Sequence, residues 1–246
     1  MNTQTGGSPR DQKAGGWAAL YLALAYLVAM PYFLLFADYQ SATDPAEKVA
    51  ALVAGHDGMR VMYLVTYVLF GVVLAVLALA LHRRLREGAP LLAQVATVAG
   101  LVWAVMLVAS GLVFNAGMDA VVGLSASDAA QAASVWQAVE PVAQGLGGAG
   151  GELLGGLWVL LVSVAALRTR ALPRALGRLG VAVGAAGLLS VAPALGDLAY
   201  LFGLLQIAWF VWLSVVMLRP AARTAGAAVQ SPDMRPALLT ARRDAS

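Results

Sequence analysis

Long apolar runs dominate the hydrophobic and polar pattern of this chain. Because a helix rises 1.5 Å per residue and a hydrocarbon core is about 30 Å thick, a membrane span needs about 20 apolar residues. Four runs contain no charged residue, a fifth contains one carboxylate, and a sixth is uncharged but close to the minimum length. In chain order, the six predicted spans cover residues 17–37, 61–81, 95–114, 145–167, 179–195 and 198–218.

These runs predict helices and not strands. A membrane strand alternates apolar and polar residues over about ten positions, whereas these segments are apolar on every side and rich in Leu and Ala. The first run is also too long for a cleaved signal peptide, so we expect it to remain in the mature protein. The predicted fold class is all-α: a polytopic membrane helix bundle with six transmembrane helices and short outer amphipathic helices.

Polar and helix-breaking residues flank the apolar part of the chain at both ends. The first dozen residues are polar, and the segment after the last run is rich in Ala, Arg and Pro. Such segments cannot bury enough apolar surface to order themselves. We therefore predict a transmembrane domain over residues 15–218 between a disordered cytoplasmic N-terminus (1–14) and a disordered basic cytoplasmic tail (219–246).

Basic residues are concentrated in alternate connections. Fourteen of the 16 Lys and Arg residues lie in the N-terminal segment, the second loop, the fourth loop and the C-terminal tail, and only Lys48 and Arg60 lie in the other loops. Since short loops rich in Lys and Arg stay on the cytoplasmic side, both termini are predicted to be cytoplasmic in a bacterial inner membrane. The pI of about 9.4 then reflects topology, and the expected partner is the bilayer and not a nucleic acid.

The overall composition excludes several protein classes. The chain is 61% hydrophobic and 12% charged, against about a quarter charged in soluble domains. It is therefore neither an ordinary soluble protein nor a disordered one. The absence of cysteine excludes a disulfide scaffold, thiol catalysis and iron–sulfur clusters.

Two capping patterns predict short helices on the outer surface. Asp44-Pro45-Ala46-Glu47 reads as an N-cap, a first-turn proline and a reciprocal capping residue, and Gly55 is expected to end the helix it opens. Ser125 with Asp128 predicts a second helix that breaks at Pro141 and places Trp136 at headgroup depth.

Acidic residues near the outer edge of the bilayer are the candidate functional groups, because an ionisable side chain at that depth is costly. Glu152 is expected about 8 Å below the outer edge of the core. Asp197, Asp119 and Asn115 would join it in an outward-facing polar vestibule able to take a proton or a cation. The alternative is structural: Glu152 reaches water or bonds with Gln144, and the two aspartates cap helix ends.

Glycines recur at intervals of four in two predicted spans. Gly147, Gly151 and Gly155 form one series, and Gly180 and Gly184 form another. Such stripes let membrane helices approach closely, so we interpret them as helix-packing positions. No Gly-rich stretch is followed by the Lys and Ser or Thr that a phosphate-binding loop requires.

The sequence offers no catalytic constellation. His56 and His82 lie at opposite ends of the second span, about 39 Å apart along a helix, so they cannot share a haem or a metal ion. We interpret His82 as part of a basic headgroup-binding cluster and His56 as a solvated partner of Asp57, with an extracytoplasmic pH sensor or metal ligand as the alternative for His56. We predict no catalytic, cofactor-binding or metal-binding residues and no cofactor.

Four short motifs, taken in order, resemble a known family. They are AGGWAALYL at residues 14–22, DPAE at 44–47, GELLGGLW at 151–158 and LPRALG at 172–177. Over residues 14–218 this pattern resembles bacterial polytopic membrane proteins of the family described as domain of unknown function 4386. The resemblance implies a small multi-helix inner-membrane protein and supplies no activity, substrate or catalytic residue.

Three functions fit the sequence. The leading hypothesis is a non-enzymatic binding or interaction component whose glycine stripes pack it against a second copy or another membrane protein. The alternative is a small transporter or proton-linked permease that uses Glu152 with Asp119 and Asp197. The third is an enzyme acting on lipid or envelope substrates, which would need two carboxylates within about 10 Å of each other.

Overall fold

The computed structural model describes residues 9–33, 39, 42–147 and 152–219, and every regular element in this part of the chain is helical. A π-helix (Leu64–Leu69) joins the second and third α-helices, and a 3₁₀ turn (Pro193–Leu195) precedes the last one. The predicted all-α class is confirmed. The α-helices are α1 (Pro9–Pro31), α2 (Pro45–Tyr63), α3 (Phe70–Leu85), α4 (Pro90–Ser125), α5 (Ala129–Gly147), α6 (Leu153–Thr169), α7 (Arg174–Leu189) and α8 (Leu198–Leu218).

Four helical stretches among the described residues are long and apolar enough to cross a membrane. They are Arg10–Pro31, Pro45–Leu85, Pro90–Ser125 and Leu198–Leu218. The shorter α6 and α7 have 17 and 16 residues and therefore extend only about 26 Å and 24 Å. These two helices occupy the remaining predicted spans, so the count of six stays a prediction.

The N-terminal helix begins earlier than predicted. Residues 9–14, assigned to a disordered segment, are helical in α1. Asp11 in the first helical turn pairs with Arg83 of α3 at 2.5 Å, and an acidic residue at this position favours helix initiation. Residues 1–8, the predicted tail beyond Arg219 and the last residues of the first predicted span lie outside the described residues.

The first predicted outer helix is not a separate element. Asp44 caps it as expected, accepting a 2.8 Å hydrogen bond from the Ala46 amide. However, α2, the π-helix and α3 form one continuous helix of 41 residues. A glycine costs a helix only about 1 kcal/mol, and burial of Leu52 and Met59 on either side of Gly55 offsets that cost. The predicted end at Gly55 is therefore wrong.

The second predicted outer helix begins and ends later than expected. Asp128, and not Ser125, supplies the cap by accepting a 2.9 Å hydrogen bond from the Gln131 amide. The helix α5 continues through Pro141 to Gly147, although proline removes one backbone hydrogen bond. Packing against α4 accounts for this continuity, because Trp136 is fully buried. Its headgroup depth stays a prediction.

Buried side chains form two clusters that meet along α4. The larger cluster joins α1, α3, α4, α6, α7 and α8. The smaller one joins Tyr39, α2, the end of α4 and α5. The π-helix lies at the boundary, and the cavity described next opens beside it.

Candidate functional site

A cavity of about 360 Å³ lies between α1, the π-helix, α4 and α8. Its deep part is formed by buried residues that include Phe70, Trp103 and Leu107. Its rim includes Tyr200 and Leu204 of α8, which are 68% and 56% exposed. The cavity therefore reaches the surface of the bundle along α8. The described lining residues are Ala25, Tyr26, Ala29, Met30, Phe33, Thr66, Tyr67, Phe70, Trp103, Leu107, Gly147, Glu152, Tyr200 and Leu204.

Glu152 is the one charged residue among these lining residues. It is the N-cap residue of α6, and its amide donates a 3.0 Å hydrogen bond to the Ser190 hydroxyl at the end of α7. The hydroxyl in turn donates to the Gly187 carbonyl at 2.7 Å. This relay fixes the backbone of Glu152 at the edge of the cavity.

The carboxylate of Glu152 has no described partner. It does not cap α6, and it makes no hydrogen bond or ion pair with any residue that the structure describes. Instead, it lies within electrostatic range of the hydroxyls of Tyr26 and Tyr67, which also line the cavity. The predicted bond from Gln144 is absent, because that side chain donates to Glu140 at 3.0 Å.

The π-helix supplies part of the wall of the cavity. Thr66 and Tyr67 line the cavity, and the Thr66 hydroxyl donates to the Met62 carbonyl at 2.8 Å. Tyr21 of α1 donates a 2.6 Å hydrogen bond to the Val65 carbonyl. The π-helix is thus held by these two side-chain hydrogen bonds as well as by its own backbone bonds. This gives its part of the wall a fixed shape.

Asp119 lies in a different cluster, on the side of α4 that faces α2. Its carboxylate accepts hydrogen bonds from Arg60 at 2.7 Å to both oxygens and pairs with the His56 ring at 2.8 Å. His56 also contacts Asp57 at 3.0 Å, as the sequence predicted. Asn115, one turn away, donates a long 3.5 Å bond to the Arg60 carbonyl, and its own carbonyl oxygen is buried without a described partner.

The predicted vestibule residues therefore occupy three places. Glu152 lines the cavity, Asp119 and Asn115 lie against α2, and Asp197 is exposed at the start of α8 without a side-chain cap bond. None of Asp119, Asn115 and Asp197 is among the described residues lining the cavity. Among the described residues there is also no group of three or more His, Asp or Glu side chains placed to hold a metal ion.

A buried polar cluster around Glu140 was missed in the sequence. Glu140 of α5 accepts hydrogen bonds from Lys48 at 2.8 and 2.9 Å, from Gln144 and from the Tyr39 hydroxyl. Trp136 donates to the same hydroxyl at 2.9 Å. Burial, and then the Glu140 carboxylate, raises the pKa of Tyr39, so this phenol stays protonated and remains a donor. The cluster ties α5 to the start of α2.

The glycines singled out in the sequence contact other helices of the same chain. A β-carbon at Gly184 of α7 would lie 2.8 Å from the Gly156 carbonyl of α6, and one at Gly155 would lie 2.9 Å from the Trp103 ring. Gly147 faces Ser110 and Tyr67, and Gly180 faces Ser163 and Trp209. Gly151 lies outside the described residues.

Comparisons with known proteins identify a family to which no activity is assigned. Neither a search of the curated proteins nor a search of the solved structures found a match. A family model does match, over residues 17–219, which include all the described lining residues of the cavity. The chain belongs to the family described as domain of unknown function (DUF4386), as its motifs had suggested.

Proposed function

We propose that this protein is a non-enzymatic binding component of the bacterial inner membrane that holds a small, mainly apolar ligand in the Glu152 cavity. The cavity itself is the observation that carries this proposal. Its volume of about 360 Å³ and its mainly aromatic and aliphatic lining with one carboxylate match ligand sites, which typically measure about 300–1,000 Å³ and combine apolar walls with few polar groups.

The proposed topology has six spans with both termini in the cytoplasm. The helices α6 and α7 would be the fourth and fifth spans, close to the lower length limit of about 17 residues. The concentration of Lys and Arg in alternate connections supports this arrangement. The Asp119 cluster and the Glu140 cluster would then both lie on the outer side.

Filling the cavity tests the proposed function. Ala29 lines the cavity, whereas its neighbour Val28 is 53% exposed and is not among the lining residues. In purified full-length protein in detergent, the neutral probe neopentylbenzene is expected to raise the thermal unfolding midpoint, since a ligand that binds only the folded state stabilises it. Ala29→Phe should abolish this rise and Val28→Phe should retain it. An equal rise in wild type and Ala29→Phe would overturn the proposal.

A second candidate, a small transporter or proton-linked permease, is favoured by the π-helix in the cavity wall. Short π-helical turns within α-helices are frequent at functional sites, and two residues of this turn line the cavity. Of the acids proposed for transport, Glu152 alone lines the cavity among the described residues. A transporter should show a pH-dependent uptake into proteoliposomes that Glu152→Gln abolishes and Asp197→Asn leaves intact; ligand binding without uptake would favour the first candidate.

The other hypotheses have less support. Paired-acid catalysis needs two carboxylates within about 10 Å, and the described lining of the cavity offers one. For an interaction component, Gly155 and Gly184 already contact neighbouring helices of their own chain. A second copy or another membrane protein would therefore pack on the outward-facing side chains of the bundle.

A further inference from the structure

We infer that the Glu152 cavity takes a small organic monocation, either a protonated amine or a quaternary ammonium group that carries an apolar substituent. This inference rests on the proposed binding function and adds the charge and chemical class of the ligand. It follows from two features found together: an acid without a partner among the described residues, and an aromatic wall.

The described lining of the cavity holds one acid and no base. Glu152 is its one ionisable carboxylate, no Lys, Arg or His is among the described lining residues, and no described residue bonds to its side chain. A carboxylate in a mainly apolar cavity is stabilised by an opposite charge or by hydrogen-bond donors. A ligand that brings a positive charge would supply the missing partner, whereas an anion would be repelled.

The remaining walls suit an organic cation better than a metal ion. The rings of Tyr26 and Phe70 meet edge to face with their centroids 5.5 Å apart, and those of Phe70 and Trp103 do so at 6.1 Å. All three residues line the cavity and give it an aromatic wall. Aromatic faces attract quaternary and protonated amines and pack against their carbon substituents. A small metal ion would instead need several oxygen ligands, and Glu152 supplies the one carboxylate among the described lining residues.

Three probes of matched shape test this inference on purified full-length protein in detergent, with binding measured by calorimetric titration. Benzyltrimethylammonium is the cation, neopentylbenzene is its neutral carbon analogue and phenylmethanesulfonate is an anion of similar form. The cation is expected to bind most tightly. Glu152→Gln should weaken its binding at least tenfold, about the effect of losing one desolvated charge contact, and Asp197→Asn should leave it unchanged. Thermal unfolding of each variant checks that it is folded.

The rim of the cavity provides a second variant that does not depend on Glu152. Tyr200 is largely exposed, so Tyr200→Leu should fold normally and weaken cation binding roughly two- to fivefold while sparing the neutral analogue. The inference is overturned if the anion binds as well as the cation, or if folded Glu152→Gln retains full cation affinity. Tight binding of neopentylbenzene without any preference for the cation would refute the charge assignment and leave the binding function standing. Failure of all three probes would refute both.

Discussion

Glu140 shows how one side chain can hold distant parts of this chain together. Its carboxylate accepts hydrogen bonds from the side chains of Tyr39, Lys48 and Gln144. An ionised carboxylate accepts on both oxygens, whereas an amide presents donors in place of one oxygen. The site is therefore suited to the charged acid, and removing one member of a buried ion pair leaves the other charge without compensation.

The residue prediction concerns this pair. Glu140→Gln should lower the free energy of unfolding by about 1–3 kcal/mol, because Lys48 loses its counter-charge and one buried donor faces another. Glu47→Gln is the matched control, since Glu47 is exposed on the same helix as Lys48 and should change stability by less than about 0.5 kcal/mol. Thermal unfolding in detergent measures both variants. Equal midpoints for the two would show that the cluster does not stabilise the fold.

Glu152 and Glu140 differ in how visible they are in the sequence. Glu152 interrupts a long apolar run, so its unusual environment can be predicted directly. Glu140 precedes Pro141, and reading that proline as a helix end hides the periodicity of the buried positions Ala132, Trp136, Glu140 and Ala143. Their spacing of three and four residues is the signal that could have placed Glu140 on the packed face. No comparable signal locates the partner of Asp119, because its contacts come from a helix 60 residues away in sequence.

At the level of elements, the start of α2 could be predicted from the sequence, whereas the ends of α2 and α5 could not. Asp44 caps α2 through contacts within three residues, and such local chemistry is legible in the sequence. Gly55 and Pro141 mark ends only if no neighbouring helix stabilises the continuation, and both are spanned here. The π-helix at Leu64–Leu69 has no local signature that we recognised, although it shapes one wall of the cavity.

The element prediction concerns the contact between α6 and α7. A β-carbon at Gly184 would meet backbone atoms of Gly156 and Leu160 at 2.8 Å, and backbone atoms cannot move aside as a flexible side chain can. Gly184→Ala should therefore destabilise the protein by about 1–3 kcal/mol, the usual range for overpacking. Gly123 in α4 is the control, because nothing lies within 4 Å of its β-carbon position.

The control should respond in the opposite direction. Gly123→Ala is expected to leave stability unchanged or to raise it by up to about 1 kcal/mol, since alanine favours a helix over the unfolded chain. Thermal unfolding of the two variants in the same detergent compares them directly. If Gly184→Ala were as stable as Gly123→Ala, the close approach of α6 and α7 would be refuted.

At the scale of the whole molecule, the arginines and the smaller buried cluster lie at opposite ends of the helix bundle. Arginines are concentrated in the turns between α3 and α4 and between α6 and α7 and in the helix ends that flank them. The two turns are also adjacent in space, because Arg84 donates a 3.1 Å hydrogen bond to the Ala171 carbonyl. The smaller buried cluster, whose Tyr39 bonds to Glu140, lies at the opposite end of α4. This polarity is what the proposed orientation requires, with arginine inside and the two acid clusters outside.

The molecular prediction follows from that orientation and from the absence of cysteine in the chain. Single cysteines can be introduced at four exposed positions, by the substitutions E87C, S127C, A175C and A194C. No other cysteine would react with the label. In intact spheroplasts, a membrane-impermeant maleimide should label S127C and A194C, and it should label E87C and A175C only after lysis. The sites E87C and S127C lie at the two ends of α4 and test whether that helix crosses the membrane. The sites A175C and A194C lie at the two ends of α7 and test that helix in the same way. Labelling of A175C and A194C from the same side would show that α7 does not span, and labelling of E87C in intact spheroplasts would contradict the cytoplasmic placement of the arginine-rich turns.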